Sequence, residues 1–461
     1  MKNNSLVGLA ILPFDKKRND SPYSNIVDLT ATIREACSQF GLGSNNPANP
    51  LMDIIKPGMS VLLKPNWVLH YNQSGGTMDC MVTHHAFILA VLAEVIKARP
   101  GRIILGDAPI QMTNWSKLVP NWFVEELQRI AYPVGVELVD FRGTIIHNGD
   151  LVHGLEQRDS KQENVILFDL GRDSLLEPIC DRPGRFRNTC YDNRVLARTH
   201  KSGRHQYLLR REAFDVDVII NLPKLKTHRK AGLTAALKNL VGMNADKDYL
   251  PHHRVGGAAL GGDCYPGFAP LKRVAEFCLD ARNRHIGSPK ASRWSVCCNR
   301  LLWLHNYFGD CDIEGSWYGN DTIWRMVLDL NRILLYGRTD GAMADVPQRR
   351  IWSLTDGIVC GENEGPLAPT PRFLGAATFS DLPAAADWVH AALLHLDPQR
   401  IPLLREALGR FRWPLVPEQR GMEIHFQNRN LSLAQVAAEL GVDAVPSCGW
   451  VGHCEWPTRQ K

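Results

Sequence analysis

The sequence lacks any apolar run of the roughly 18 residues that a membrane-spanning helix needs. Its N-terminal stretch, MKNNSLVGLAILPFDKK, has one lysine before a short apolar run and no long hydrophobic region, so it predicts a strand rather than a signal peptide. The net charge of +5 over 461 residues is too small to indicate nucleic acid or a membrane surface by itself. We therefore expect no membrane partner and no nucleic-acid partner.

The sequence also lacks the short motifs of several common protein classes. The 12 cysteines include no Cys-x-x-Cys pair, which predicts free thiols in a reducing cytoplasm. There is no GxxxxGK[ST], no GxGxxG after a strand, no HExxH and no GxSxG. These absences argue against P-loop NTPases, nicotinamide enzymes, zincins and serine hydrolases. What remains is an ordinary globular composition, with 44% hydrophobic and 22% charged residues.

Short apolar runs alternating with helical periodicity predict an α/β fold. Because these runs are apolar throughout, they are typical of parallel strands covered on both faces. We predict mostly parallel sheets with helices on both faces, two lobes and a helical C-terminal part. The predicted strands are 60–67, 101–109, 134–141, 164–170, 216–223 and 349–359, and a helix capped by Thr83 follows the first of them.

A chain of 461 residues is longer than one hydrophobic core usually serves. We predict an N-terminal α/β lobe over 1–145 and a polar, charged insertion over 146–214. A second α/β lobe over 215–400 contains a helical insertion at about 270–340, rich in Trp, Arg and Leu. Residues 401–461 form a helix-rich C-terminal segment with a late strand at MEIHFQN.

Polar side chains follow the predicted strands at the points where the strands end. In open parallel sheets, ligands bind outside the carboxyl ends of the strands. We expect these residues to converge on one site, although loops are polar in any case. They are Lys64, Asn66, Asp107, Lys224, Lys226, His228 and Asp356.

The segment NLPKLKTHRKAGLTAALKNLVGM, residues 221–243, concentrates positive charge after a buried strand. Pro223 ends that strand, and we predict a loop followed by a helix that begins at Gly232 and Thr234. Free amides at such a helix start, together with Lys224 and Lys226, form a cradle for phosphate or carboxylate. The alternative is a solvated basic loop.

Three further groups of residues complete the candidate site. Lys238 lies four residues after Thr234 on the predicted helix, at the lip of the site or on the surface, and Asn239 follows it. His252 and His253 lie in a glycine-rich loop and have the chemistry of metal ligands or acid–base groups. A carboxylate-rich loop could hold a divalent cation through Asp356, Glu362 and Glu364.

Several of these motifs together resemble the family called domain of unknown function 362. They are VLLKPNW, ILGDAP, DVIINLPKLKTH with GLTAALKNLVG, DLNRILLYG and DGIVCGENEGPLAPTP, in that order from about residue 57 to 400. Many members carry a ferredoxin-type cysteine cluster. Because this chain has no Cys-x-x-Cys, we expect no ferredoxin-type iron–sulfur cluster here.

The stretch GLTAALKNLVGM is also similar in plan to the glycine-rich segment of nickel-dependent lactate racemases. In those enzymes a lysine holds a nickel-pincer nucleotide covalently, and a later histidine binds the metal. The resemblance implies Lys238 as the tether and His252 or His253 as the ligand. The racemase segment has glycines where this chain has Ala235 and Ala236.

Taken together, the sequence predicts a cytosolic α/β enzyme of unassigned reaction that acts on a small anionic molecule. Three residues are the candidates for catalysis: Asp107, His228 and Lys238. Six are candidates for binding the anion: Lys64, Asn66, Lys224, Lys226, Thr234 and Asn239. The alternative is a non-catalytic accessory protein that binds a cofactor or ligand with the same lysines. The cofactor, beyond a possible divalent metal, and the oligomeric state are left open.

Overall fold

The computed structural model describes residues 5–14, 20–158, 162–189, 191–305, 312–416 and 421–457. The strands form one large sheet and three small ones. In chain order they are β1 Ser5–Ile11, β2 Ser60–Pro65, β3 Arg102–Asp107, β4 Glu137–Asp140, β5 Thr144–Ile146, β6 Leu155–Gln157, β7 Val165–Asp169, β8 Phe186–Arg187, β9 His200–Lys201, β10 Arg204–Arg210, β11 Val218–Leu222, β12 Lys224–His228, β13 Gly232–Thr234, β14 His253–Arg254, β15 Ile351–Glu364, β16 Ala368–Ser380, β17 Met422–Phe426 and β18 Arg429–Leu431.

The helices lie between these strands and in the C-terminal part of the chain. No helix in the described ranges is long and apolar enough to cross a membrane. The α-helices are α1 Ile26–Phe40, α2 His85–Lys97, α3 Trp115–Leu118, α4 Asn121–Ala131, α5 Asn193–Thr199, α6 Glu212–Asp215, α7 Ala236–Asn239, α8 Pro270–Arg284, α9 Pro289–His305, α10 Ile323–Tyr336, α11 Pro383–Leu393, α12 Pro402–Ala407 and α13 Leu433–Leu440.

The large sheet has the strand order β18-β17-β1-β16-β15-β11-β2-β3-β4, and β12 and β13 extend from β15. Its central pairs, β15 with β11, β11 with β2, β2 with β3 and β3 with β4, are parallel. The long hairpin of β15 and β16 and the pairing of β1 with β16 are antiparallel. The sheet is therefore mixed and mostly parallel, as predicted. Strands from both predicted lobes pair in it, and the domain boundaries stay predictions.

Both faces of this sheet are covered, because successive residues of its strands enter different hydrophobic cores. Val61 and Leu63 belong to the core that α1, α2 and α4 cover, whereas Leu62 faces the core under α10 and α11. Continuous apolar runs such as Val218–Leu222 fit this arrangement, since neither face of the strand meets water.

Most predicted elements are confirmed, with shifts at their ends. The helix after β2 is capped by His84 instead of Thr83, because the His84 ring accepts from the Ala86 amide while the Thr83 hydroxyl donates to Leu222. The predicted strand 164–170 forms, but it pairs with β10 in a separate three-stranded sheet. The helical insertion predicted at about 270–340 contains α8, α9 and α10, and residues 306–311 within it lie outside the described ranges.

The prediction for the lysine segment is wrong in its secondary structure. Lys224–His228 is a buried strand, and Gly232–Thr234 folds back on it as an antiparallel hairpin. Gly232 has φ of +78°, the left-handed region that favours glycine. The α-helix starts only at Ala236 and has four residues. Pro223 does end β11, which pairs with the first residues of β15. The chain then continues as β12, which pairs with β15 further along, at Asp356 and Gly361.

Candidate functional site

The hairpin of β12 and β13 brings three of the predicted residues to one face of the sheet. Lys226 lies opposite Thr234 in the ladder, and His228 lies opposite Gly232. Because alternate residues of a strand share a face, the side chains of Lys226, His228 and Thr234 project to the same side. The buried Thr234 hydroxyl has no hydrogen-bond partner among the described residues, so it is available to a ligand.

The ends of β2 and β3 contribute a buried ion pair beside this face. Lys64 Nζ lies 2.7 Å from Asp107 Oδ1, and the two side chains are 0% and 2% exposed. The amides of Trp67 and Ala108 also donate to Asp107, at 2.6 and 2.8 Å. A Cβ on Gly242 would lie 2.0 Å from Asp107 Oδ1, so only glycine allows the chain after α7 to pass here. These contacts favour a structural role for Asp107 over its predicted acid–base role.

Asn239 connects the ion pair to the lysine strand. Its Oδ1 accepts from Lys64 Nζ at 3.2 Å and from Asn66 Nδ2 at 3.0 Å, and its Nδ2 donates to Asn221 Oδ1 at 2.7 Å. Asn66 in turn accepts from Lys226 Nζ at 2.8 Å. The network joins four of the predicted anion-binding residues, and it fixes α7, on which Lys238 lies.

A second buried cluster holds Lys224. Its Nζ lies 2.9 Å from Asp356 Oδ2 and donates to the Tyr23 hydroxyl at 2.7 Å, while that hydroxyl donates to Asp356 Oδ1 at 2.7 Å. The His84 ring stacks on Tyr23 with centroids 3.8 Å apart, and burial lowers the pKa of His84 to about 4. Lys224 is therefore neutralised by Asp356 within the protein.

Lys226 and Lys238 have no carboxylate partner in the part of the chain that is described. Lys226 donates to Asn66 and to a main-chain carbonyl, both of which are uncharged. Lys238, which is partly buried, makes no hydrogen bond or ion pair with any described residue. Burial lowers the pKa of Lys226 to about 7; burial, with Lys230 and Lys64 nearby, lowers the pKa of Lys238 to about 8. The ammonium groups of these two lysines therefore have no carboxylate counterion among the described residues.

Two histidines, the buried His228 and the partly buried His252, adjoin these lysines. The amides of Lys230 and Ala231 donate to His228 Nδ1 at 3.0 and 3.1 Å, so neutral His228 carries its proton on Nε2. Burial and the charge of Lys238 hold the pKa of His228 well below its usual range. His252 Nδ1 donates to a carbonyl at 2.9 Å, and burial and Lys238 likewise lower its pKa. Both rings are neutral at pH 7, so His228 Nε2 is a neutral hydrogen-bond donor.

The start of α7 is not the anion cradle that the sequence predicts. The carboxylate of Asp387, on α11, accepts from the Ala236 amide at 2.7 Å and from the Leu237 amide at 2.9 Å. His390 contacts the same carboxylate at 2.9 Å. The Asp387 carboxylate therefore already occupies the two amides. An external anion would have to be bound by side chains instead.

The predicted metal ligands are dispersed. Glu362 pairs with Arg372 at 3.2 Å, Glu364 pairs with Arg229 at 3.0 Å, and Asp356 holds Lys224. His253 lies in β14, and its Nδ1 is buried without a described partner. No group of three or more His, Cys, Asp or Glu in the described ranges could hold a metal ion. His252 has the arrangement of a metal-ligating histidine, with Nδ1 bonded to a carbonyl, and metal binding stays a prediction.

Sequence reasoning missed four contributors. Tyr23 and His84 complete the Lys224 cluster, and nothing local in their sequence indicates it. Lys247 donates to the carbonyls of Ala108 and Pro109, and burial lowers its pKa to about 7. Asp387 could have been found, because an Asp in the apolar run of α11, PAAADWVHAAL, must have a partner.

Comparisons with known proteins agree with the resemblance found in the sequence. The family described as "Domain of unknown function (DUF362)" matches residues 172–392. A thylakoid-associated protein of Synechocystis sp. is 24% identical over 365 residues, which are 79% of this chain and 72% of that protein. A crystal structure of a Thermotoga maritima protein aligns at 9% identity with a TM-score of 0.33, covering 76% of this chain and about half, 54%, of the other. A TM-score this low does not establish a shared fold.

Proposed function

We propose that this chain, which belongs to the DUF362 family over residues 172–392, is a cytosolic enzyme that acts on a small molecule bearing phosphate or carboxylate. The family name assigns no reaction, so the proposal depends on the site itself. The anion is bound at the carboxyl edge of the sheet, where β2, β3 and β12 end.

The observation that carries this proposal is the uncompensated charge of Lys226 and Lys238. Two other lysines of the strand ends are neutralised by carboxylates, Lys64 by Asp107 and Lys224 by Asp356. Protonating both of these unpaired lysines in a largely buried place is unfavourable, which is why the pKa of each is lowered. An anion that pairs with them removes this cost, and evolution tolerates such a cost mainly at binding and active sites.

Around these lysines, neutral donors supply the rest of an anion site. The Thr234 hydroxyl has no described partner, and His228 presents a neutral Nε2–H. Lys238, with a pKa of about 8, exchanges its proton readily near neutral pH. We therefore assign anion binding to Lys226, Lys238 and Thr234, with His228 as a further hydrogen-bond donor, and we assign proton transfer to Lys238 as well.

The test is stabilisation of the protein by anions. Thermal unfolding is measured with added pyrophosphate or malonate for the wild type, for Lys226→Ala and for the control Lys201→Ala, which changes an exposed lysine in β9. We expect both anions to raise the Tm of the wild type and the control, and Lys226→Ala to lose most of that increase. Equal increases in all three proteins would contradict the proposed site.

The alternative, a non-catalytic accessory protein, is distinguished by turnover. A mixture of small phosphorylated and carboxylic metabolites is incubated with the wild type and with His228→Gln, and each compound is followed by mass spectrometry. We expect the wild type to consume one compound and the variant to consume it much more slowly while it keeps its anion-induced stabilisation. Binding without any consumption by the wild type favours the accessory protein.

A further inference from the structure

A groove outside the lysine site has a strongly basic lining. It has a volume of about 670 Å³ and is bounded by residues 181–185, by the glycine-rich loop 255–261 and by α8. Arg182, Arg185 and Arg273 line it, whereas Asp181 is the one acidic residue of its described lining. A volume of this size fits a small-molecule ligand.

The walls of the groove are fixed to one another. Arg185 Nη2 donates to the carbonyls of Val255 and Leu260 at 3.1 and 2.8 Å, and the Val255 amide donates to the Arg185 carbonyl at 2.9 Å. The Gly256 amide donates to Glu276 of α8 at 2.8 Å. The position of the Arg185 guanidinium is therefore set before any ligand arrives, which reduces the entropy lost on binding.

Of the three arginines that line this groove, Arg185 has no carboxylate within ion-pair distance among the described residues. Arg273 pairs with Glu276 at 2.9 Å, and Arg182 lies 3.9 Å from Asp181. The bonds of Arg185 go to main-chain carbonyls through Nη2, which leaves its Nη1 and Nε without described partners. Its own burial and the charges of the other arginines lower the pKa of Arg185, so an anion relieves their mutual repulsion.

We propose that this groove binds a phosphate group of a small phosphorylated molecule, held by Arg185 Nη1 and flanked by Arg182 and Arg273. Both guanidinium edges that could bind two phosphate oxygens at once include Nη2, which the two carbonyls occupy, so Arg185 offers the phosphate a charge-assisted donor rather than a bidentate pair. A glutamine at position 185 removes that charge. The groove is a site of its own, because none of its lining residues belongs to the lysine edge.

The test is calorimetric titration of the full chain with inorganic pyrophosphate at low salt. The lysine edge also attracts anions, so the titration is made in the Lys238→Met background. We expect one pyrophosphate site to remain there, and Arg185→Gln to weaken it by about tenfold or more, because the variant loses the guanidinium charge and its hydrogen bond to the phosphate. Arg172→Ala, which changes an exposed arginine elsewhere, should leave this site unchanged.

Arg185 also bonds to the loop 255–261, so replacing it could disturb the fold. A second variant is therefore needed. Arg182→Ala removes an exposed side chain, and we expect it to weaken the same site several-fold without a change in the urea midpoint of unfolding. Pyrophosphate binding that is lost in Lys238→Met alone, and kept when Arg185→Gln or Arg182→Ala is made in the wild type, would overturn the groove and leave the proposed lysine site intact. Equal affinity of Arg185→Gln, Arg182→Ala and Arg172→Ala in the Lys238→Met background would overturn it as well.

Discussion

Replacing Lys238 by methionine should stabilise the ligand-free protein. Burial moves the pKa of Lys238 from its ordinary 10.5 to about 8. Because lowering a pKa by one corresponds to about 1.4 kcal/mol, the protonated side chain destabilises the folded state by on the order of 3 kcal/mol. Methionine keeps a long apolar side chain without the charge. At pH 7 we expect the free energy of unfolding to rise by about 1–3 kcal/mol.

The gain should depend on pH in a defined direction. In the unfolded chain Lys238 keeps its proton up to about pH 10.5, whereas in the folded chain it loses the proton near pH 8. Between these values the unfolded state binds more protons, so this lysine makes the wild type more stable as the pH rises. The advantage of Lys238→Met should therefore be fully present below pH 8 and decline towards pH 10.5. Urea unfolding at pH 7.0 and 9.5 measures it.

The matched control is Lys201→Met, which removes an exposed lysine and should change stability little at either pH. The reasoning is refuted if Lys238→Met is less stable than the wild type by the same amount at both pH values. That result would mean that Lys238 makes a structural contact. Stabilisation combined with loss of the anion-induced increase in Tm is the expected signature of a binding residue.

Two further predictions concern the supports of the site. Asp107→Asn should cost about 3–5 kcal/mol of stability, because it leaves Lys64 charged and unpaired. In urea unfolding, the double variant with Lys64→Met should recover much of this loss. If the free-energy changes of the two single variants simply add in the double variant, the ion pair is contradicted. Asp387→Asn should cost about 1–3 kcal/mol, because the Ala236 and Leu237 amides donate to different oxygens of Asp387 and asparagine replaces one of these oxygens by an NH2 donor. An unchanged urea midpoint would contradict that role.

The meeting of the strand ends could be predicted from the sequence. Apolar runs without alternation indicate parallel strands, and the carboxyl ends of such strands share an edge. The structure accordingly joins Lys64 to Asp107 and, through Asn239 and Asn66, to Lys226. This inference needs only the order of apolar and polar residues along the chain.

The course of the lysine segment could not be predicted in the same way. Lysines are almost never fully buried unless they are paired, so a loop was the natural expectation for Lys224 and Lys226. Lys224 is buried because Asp356 and Tyr23, 132 and 201 residues away in sequence, surround its ammonium group. No local pattern encodes partners at that distance, and the same is true of the Asp387 carboxylate that occupies the start of α7.

The central claim, that an anion is bound by the unpaired lysines, is tested most directly by a crystal soaked with tungstate. The anomalous signal of tungsten locates the ion independently of the protein density. We predict a peak within hydrogen-bond distance of Lys238 Nζ, beside His228 Nε2 and the Thr234 hydroxyl. Tungstate bound only at the Arg185 groove or on the outer surface, with none at Lys238, would contradict the account.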